Sequence, residues 1–295
     1  MAIFSKKSSE DKQESFGKMS SDKAKEILKT LSGGEVKYTK KVVDNVIAVT
    51  NASGGTGAST ILANAAFLAA TKNLRVLVID LNIMYPTQHI YFGDDKTDLE
   101  KADLVSYLIG KNTLGESIQN KGQVALMYAH NRSLMDCINC ETDIAVSNLS
   151  SAIQKLRQLF DVIFIDVPLK IENTLCNTAF YMSDAVYLVW DEGISSISNT
   201  EKIRRNMALS GIDVYTKMRV ILNKRTNIHY NNYPFQKLNI ELVQILPFEP
   251  DVIYSSLRSE VFCDKGASSS KNADIFYSSM VELTDKILEN GGYIG

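Results

Sequence analysis

Seven runs dense in Val, Ile and Leu punctuate the chain from residue 45 onward: Asn45–Asn51, Arg75–Asp80, Gln123–Ala129, Asp161–Val167, Asp184–Trp190, Met218–Lys224 and Leu242–Phe248. Several are continuous rather than alternating, the pattern of strands buried on both faces. Between them, helix-like segments fall at roughly 58–72, 102–110, 147–160, 195–210 and 272–290. Strands that alternate with helices pair in parallel through helical crossovers. The pattern therefore predicts an α/β fold: a doubly wound, mostly parallel sheet with helices on both faces. No internal repeat is visible.

Residues 1–41 break this pattern. They are rich in Lys, Ser, Glu and Gln and carry ten basic against six acidic residues, whereas the whole chain has a formal net charge of −2. Such a segment reads as a flexible polar arm, with one short helix in SSDKAKEILKTL capped by Ser20 or Ser21 and stopped at Gly33-Gly34. The expected organisation is an arm over 1–41 followed by one domain over 42–295. A length of 295 residues with 45% hydrophobic and 22% charged positions suits one large soluble domain. The slight net charge gives no global reason to expect nucleic-acid binding. No apolar run approaches the ~18–20 residues of a membrane span, and the N-terminus lacks the apolar core of a secretory signal. Four scattered cysteines make no disulfide framework. The expected location is cytoplasmic, with recruitment to a membrane or a cell pole left open.

Chemistry concentrates in IAVTNASGGTGASTILANAAFLA, Ile47–Ala69. Glycines after a strand let successive backbone N–H groups converge on a phosphate, and the helix N-terminus behind them adds favourable polarity. Gly54, Gly55, Thr56, Gly57, Ala58, Ser59 and Thr60 are the candidate phosphate-binding residues. In an ordinary loop of this kind a lysine reaches the outer phosphates and the following hydroxyl binds Mg²⁺. Here the hydroxyls are present and the lysine position holds Ala58.

SGGTGAST resembles the deviant Walker A box of the ParA/MinD superfamily of P-loop ATPases. VLVIDLN is similar to that family's aspartate element, with Asp80 present and Asn82 at the second aspartate position. FDVIFIDVPL resembles its Walker B strand and places Asp166 and Pro168. SDAVYLVWDEGISSISNTEKI resembles its next strand and helix, VILNK puts Asn223 where an asparagine contacts adenine, and QILPFEPDVIYSSLRSEVF resembles its closing strand, proline turn and helix. The resemblance spans most of 43–290. It implies ATP or ADP as ligand, Mg²⁺ held by Ser59 with Asp80 and Asp166, Asp80 and Asp166 ordering water and metal, and a homodimer. The departures are specific. The signature lysine falls at Ser53, the ordinary lysine at Ala58 and the second switch aspartate at Asn82. The expectation is nucleotide binding with slow or absent hydrolysis, at most a weak ATPase. A small residue in place of the lysine is similar to the TadZ/CpaE branch, whose members localise Flp-type pilus assembly, usually at a pole. The resemblance thus implies a positioning protein for a partner machine such as a pilus or secretion assembly. Forty polar residues are too few for the receiver-like domain that branch usually carries. The alternatives are a pseudo-ATPase scaffold that binds no nucleotide and a DNA-partitioning protein.

Other features weigh less. Cys137 and Cys140 have C-x-x-C spacing without a second pair or a nearby His, and read as ordinary cysteines. The last helix, NADIFYSSMVELTDKILEN, is amphipathic, but its polar face carries Asp274, Glu282, Asp285 and Glu289 rather than the basic residues a membrane helix wants. Packing on the sheet is expected. Lys202, Arg204, Arg205, Lys217, Arg219, Lys224 and Arg225 would touch DNA only if clustered; a solvated face is the plainer reading. The arm at 1–41 offers a contact for an acidic partner or lipid headgroups. Tyrosine autokinases share the core, yet they need the loop lysines and a C-terminal tyrosine cluster, and this chain ends with a lone Tyr293.

Overall fold

The computed structural model describes residues 44–93, 103–130, 138, 140–169, 173–226, 238–265 and 270–291. The expected arm at 1–41, Cys137 and Tyr293 lie outside the described residues. Eight strands form one sheet: β1 (Val46–Asn51), β2 (Val76–Asp80), β3 (Gln119–Lys121), β4 (Val124–Met127), β5 (Val162–Val167), β6 (Ala185–Trp190), β7 (Met218–Arg225) and β8 (Glu241–Pro247). Their order is β3-β4-β2-β5-β1-β6-β7-β8. Every pairing is parallel except β3 with β4.

The seven apolar runs all become strands; the inner ones carry two buried faces, whereas edge strand β8 leaves Glu241 and Ile245 exposed. Val46 and Ala48 point into one core layer, and Ile47 and Val49 into the other. The same alternation runs through Leu77 and Ile79 against Val76 and Val78, and through Ile163 and Ile165 against Val162 and Phe164. Burying both sides of a strand leaves no polar position, which is why these runs read as unbroken hydrophobics.

The first layer is covered by α3 (Leu104–Leu108), α4 (Asp143–Leu156), α5 (Thr174–Met182), α6 (Ile194–Leu209) and the short α7 (Val214–Lys217); the second by α1 (Ala58–Thr71), a 3-10 turn (Phe262–Lys265) and α9 (Lys271–Asn290). Two further helices, α2 (Gln88–Tyr91) and α8 (Pro250–Leu257), sit beside the loop ends. In α1 five alanines, Ala63, Ala65, Ala66, Ala69 and Ala70, are buried and bring the helix axis close to the sheet.

Three expectations need correction. The helix expected over 147–160 occupies 143–156, because the Thr142 side chain caps it by accepting from the Ala145 N–H and Asp143 suits its first turn. The helix α5 goes unmarked in the sequence reading, although Asn173 caps it through the Cys176 N–H at 3.1 Å. Strand β3 is also unmarked. It has no fully buried residue and reaches β4 through Gly122–Gln123, with Gly122 at φ +58°, a backbone angle suited to a tight hairpin. The final helix packs as expected: Phe276, Met280, Leu283, Ile287 and Leu288 are buried against the second layer. Ile275, next to Phe276 in the first turns, is exposed.

Candidate functional site

Strand β1 lies between β5 and β6, so the crossovers leaving β1 and β5 run to opposite sides of it. Open α/β sheets bind ligands in the crevice such a switch point creates at the strand C-termini. The glycine loop leaves β1 here and enters α1. Gly57 is the N-cap, at φ +97°, and Gly55 lies at φ +79°. Both angles are in the left-handed region that favours glycine. At Gly57 space forbids a side chain as well: a Cβ would sit 2.6 Å from Asn223 Nδ2.

The loop is braced from three sides. Asn51 Oδ1 accepts from Thr56 Oγ1 at 2.6 Å and from the Ala58 N–H at 3.1 Å. From β7, Asn223 Nδ2 donates to the Thr56 carbonyl at 2.8 Å and Lys224 Nζ to the Gly55 carbonyl at 2.6 Å. From α6, Asn199 Nδ2 donates to the Ala52 carbonyl and Ser196 Oγ lies 3.2 Å from Ser53 Oγ. The Ala52, Gly55 and Thr56 carbonyls are thus engaged, and of the loop amides the Ala58 N–H is taken by Asn51. The first turn of α1 holds no acidic residue to repel an anion.

A cavity of about 310 Å³ opens on this loop. Gly55, Gly57, Ala58, Ser59 and Thr60 line one end, and Pro247, Phe248, Val252 and Ile253 from the β8–α8 corner make the other end apolar. Asn223 and Lys224 line it between them. A polar cradle beside an apolar slot is the form of a small-molecule site, and this volume is at the lower end for one.

Two acidic side chains close the base of the loop. Asp80 and Asp166 are register partners at the ends of neighbouring strands β2 and β5. Both are buried. Burial, then the Asp166 charge, pushes Asp80 up to about 7, against the pull of backbone N–H bonds from Gln88, Thr87 and Asn82. Burial raises Asp166 as well, opposed by the Gln88 amide and the Ser59 hydroxyl. Gln88 Nε2 bridges Asp166 Oδ2 at 2.6 Å and the Ser59 carbonyl at 3.0 Å. Gln88 Oε1 and Thr87 Oγ1 are buried acceptors with no partner. Tyr91 closes this side with its hydroxyl 2.8 Å from Thr60 Oγ1.

These donors fit Mg²⁺. Neighbouring carboxylates, the Ser59 hydroxyl and the unpartnered Gln88 oxygen supply hard oxygen ligands, and the carboxyls are raised chiefly by burial. No group of three or more His, Cys, Asp or Glu that would form an all-protein cage occurs among the described residues. Mg²⁺ sites use one or two carboxylates completed by water and phosphate.

Sequence reasoning reaches the glycine loop, Asp80, Asp166 and Asn223, and the structure brings all of them to one crevice. Asp80 spends its oxygens largely on the backbone of 82–88, so it shapes that turn directly. Gln88, Tyr91 and Asn51 go unnoticed in sequence, and Lys224 is visible only as part of a basic run. Of the rest of that set, Lys202 and Arg205 are exposed and the others make local contacts. Arg204 donates to the Leu238 carbonyl and lies over the Tyr215 ring, Lys217 donates to the Tyr181 carbonyl, Arg219 pairs with Glu241 and Arg225 with Glu192. Cys140 is buried in the first core layer.

The AAA domain family matches residues 44–214, more than half of the chain. The septum site-determining protein MinD of Thermotoga maritima is 25% identical over 220 residues, covering 72% of this chain and 78% of that protein. The chain belongs to the ParA/MinD superfamily of P-loop ATPases. Among solved structures, a ParA family ATPase from Chlorobium tepidum superposes with a TM-score of 0.70 at 16% identity, over 83% of this chain and 98% of the other. The MinD protein of Pyrococcus horikoshii, solved in complex with Mg-ADP, gives a TM-score of 0.68 at 19% identity, over 82% and 95%. The positions where the resemblance expects charge hold Ser53, Ala58 and Asn82. No helix among the described residues is long and apolar enough to cross a membrane.

Proposed function

We propose that the protein is a nucleotide-gated positioning protein: it binds ATP and ADP with Mg²⁺, hydrolyses ATP slowly or not at all, and uses the bound state to recruit a partner. The observation that carries this reading is the braced loop opening on a cavity beside two buried carboxylates. Gly54, Gly55, Thr56, Gly57, Ser59 and Thr60 would hold phosphates through their amides and hydroxyls, with Ala58, whose N–H is engaged by Asn51, lining the loop beside them. Ser59, Asp166 and Asp80 would hold or order the metal, which when bound neutralises phosphate charge. Asn223 and the Pro247–Ile253 wall would take the base.

Weak hydrolysis follows from charge. Phosphoryl transfer depends on cations placed at the transferring group, and neither Ser53 nor Ala58 supplies one. Losing a charge-assisted hydrogen bond weakens binding by roughly 10–150-fold, which millimolar cellular ATP tolerates. Dimerisation with ATP, and a pilus or secretion assembly as the partner, extend the resemblance of SGGTGAST to the TadZ/CpaE branch. A DNA-partitioning role is disfavoured because Arg204, Lys217, Arg219 and Arg225 are engaged in contacts within the protein.

Calorimetric titration of ATP and ADP with Mg²⁺ tests the reading, with the Ser59→Ala, Asp166→Ala double variant as control. Saturable binding that the double variant loses supports it. No uptake at millimolar nucleotide makes the protein a scaffold, and turnover at the pace of an ordinary superfamily ATPase refutes the slow-hydrolysis part.

A further inference from the structure

Strand β7 ends abnormally, and it does so at the nucleotide cavity. Between Leu222 and Arg225 three steps along β7 match two along β8, from Ile245 to Pro247. The extra residue is accommodated by Lys224 at φ +56°, a left-handed angle that is costly for a side chain with a Cβ. In a regular strand, residues 223 and 224 would point to opposite faces. Here both turn to the same loop, Asn223 to the Thr56 carbonyl and Lys224 to the Gly55 carbonyl. The bulge therefore has a specific effect: it swings a lysine out of strand alternation and onto the glycine loop.

Charge makes that effect matter. Lys224 is the one Lys or Arg among the residues lining the cavity. Ala58, at the ordinary lysine position, is buried and neutral, and Ser53 is turned toward Ser196. The Lys224 stem runs beside the loop, with Cε 4.0 Å from where a Gly57 Cβ would be. An ammonium has three donors, and the Gly55 carbonyl takes one. The side chain is only half-buried.

We infer that Lys224 is the phosphate-neutralising cation of this site, delivered from β7 in place of the lysines the loop has lost. Its ammonium braces the Gly55 carbonyl with one N–H and offers the others to the phosphate chain of a bound nucleoside di- or triphosphate. The inference rests on the nucleotide reading above and adds the residue that makes a lysine-free loop competent to bind.

The test compares wild-type protein with Lys224→Met and Lys224→Arg. Displacement of a fluorescent ADP analogue is measured with ADP, pyrophosphate and adenosine as competitors, at two salt concentrations. Circular dichroism confirms that each variant is folded. Lys224→Met is expected to weaken ADP and pyrophosphate about 10–100-fold, to leave adenosine within about twofold, and to flatten the salt dependence. Lys224→Arg is expected to recover most of the loss. Equal loss for adenosine and ADP, or no rescue by arginine, would show that the stem merely props the loop and would overturn the assignment. Full ADP and pyrophosphate affinity in Lys224→Met overturns it too, while leaving nucleotide binding intact. Wild-type protein that takes up neither analogue nor ADP removes the nucleotide reading itself, and the assignment with it.

Discussion

At the scale of single residues, the most consequential group is the carboxyl pair Asp80–Asp166. A carboxyl whose folded pKa lies above its unfolded value keeps a proton that the unfolded chain releases. With Asp80 pushed from 3.8 up to about 7, the folded protein is most favoured below pH 4. It loses that advantage as pH rises toward and through 7. Each pKa unit corresponds to about 1.4 kcal/mol, so the penalty at neutral pH is on the order of 2–4 kcal/mol. The expected outcome is that the metal-free protein melts at progressively lower temperature between pH 5 and 8, and that millimolar Mg²⁺ restores much of the loss. Asp166→Asn is expected to flatten the profile by removing the neighbouring charge. A melting temperature that is flat over this range in wild-type protein would count against the pair. Gly57→Ala makes a second residue-scale case. Its Cβ would collide with Asn223 Nδ2 and its φ of +97° is strained for alanine. It should cost about 1–3 kcal/mol and abolish saturable nucleotide binding in calorimetry.

At the scale of elements, legibility followed burial. Strands buried on both faces announce themselves, so β1, β2 and β5 are plain from Val, Ile and Leu alone. Strand β3 carries Gln119, Asn120 and Lys121 and is held by backbone pairing to β4, which leaves no hydrophobic trace. Helix α5 is nine residues long and mixes Cys, Asn and Thr with its apolar positions, so its period is too short to stand out. The site divides similarly. Glycines and strand-end aspartates are readable because few other residues do their work, whereas Gln88 acts through a tertiary contact to Asp166 that no spacing encodes. Lys224 depends on a bulge, and a bulge has no sequence signature here. Helix α9 yields its own prediction. Its apolar face is already committed to the sheet, so Leu283→Ala should destabilise the fold by about 2–5 kcal/mol in denaturant melts. Intact protein should not sediment with anionic vesicles through α9; vesicle binding that Leu283→Ala modulates without unfolding would oppose this.

At the scale of the whole molecule, the loop couples the two core layers. It is gripped by Asn51 at the end of β1, by Asn199 on α6 in the first layer, and by β7, while α1 carries it into the second. A ligand seated on it should therefore stabilise the molecule globally rather than locally. Saturating Mg-ATP at about 100 times its Kd is expected to add about 2.7 kcal/mol, visible as a raised melting temperature that EDTA reverses. Restoring a loop cation by Ala58→Lys should tighten ATP binding by about tenfold or more. Hydrolysis should stay low in that variant, because Ser53 and Asn82 are unchanged; a phosphate-release assay checks this.

The central placement of β1 also reaches into how the chain is made. β1, the first of the described strands, pairs with β5 and β6, and its loop is gripped by Asn223, 167 positions after Thr56. Contacts so distant in sequence close late and slow folding. At roughly 5–20 residues per second, the glycine loop is synthesised on the order of ten to thirty seconds before β7 exists to brace it. Nucleotide cannot template the early stages of folding in such a chain. The apolar strands made earlier wait on the chain until β7 has left the ribosome, and only then is the loop braced.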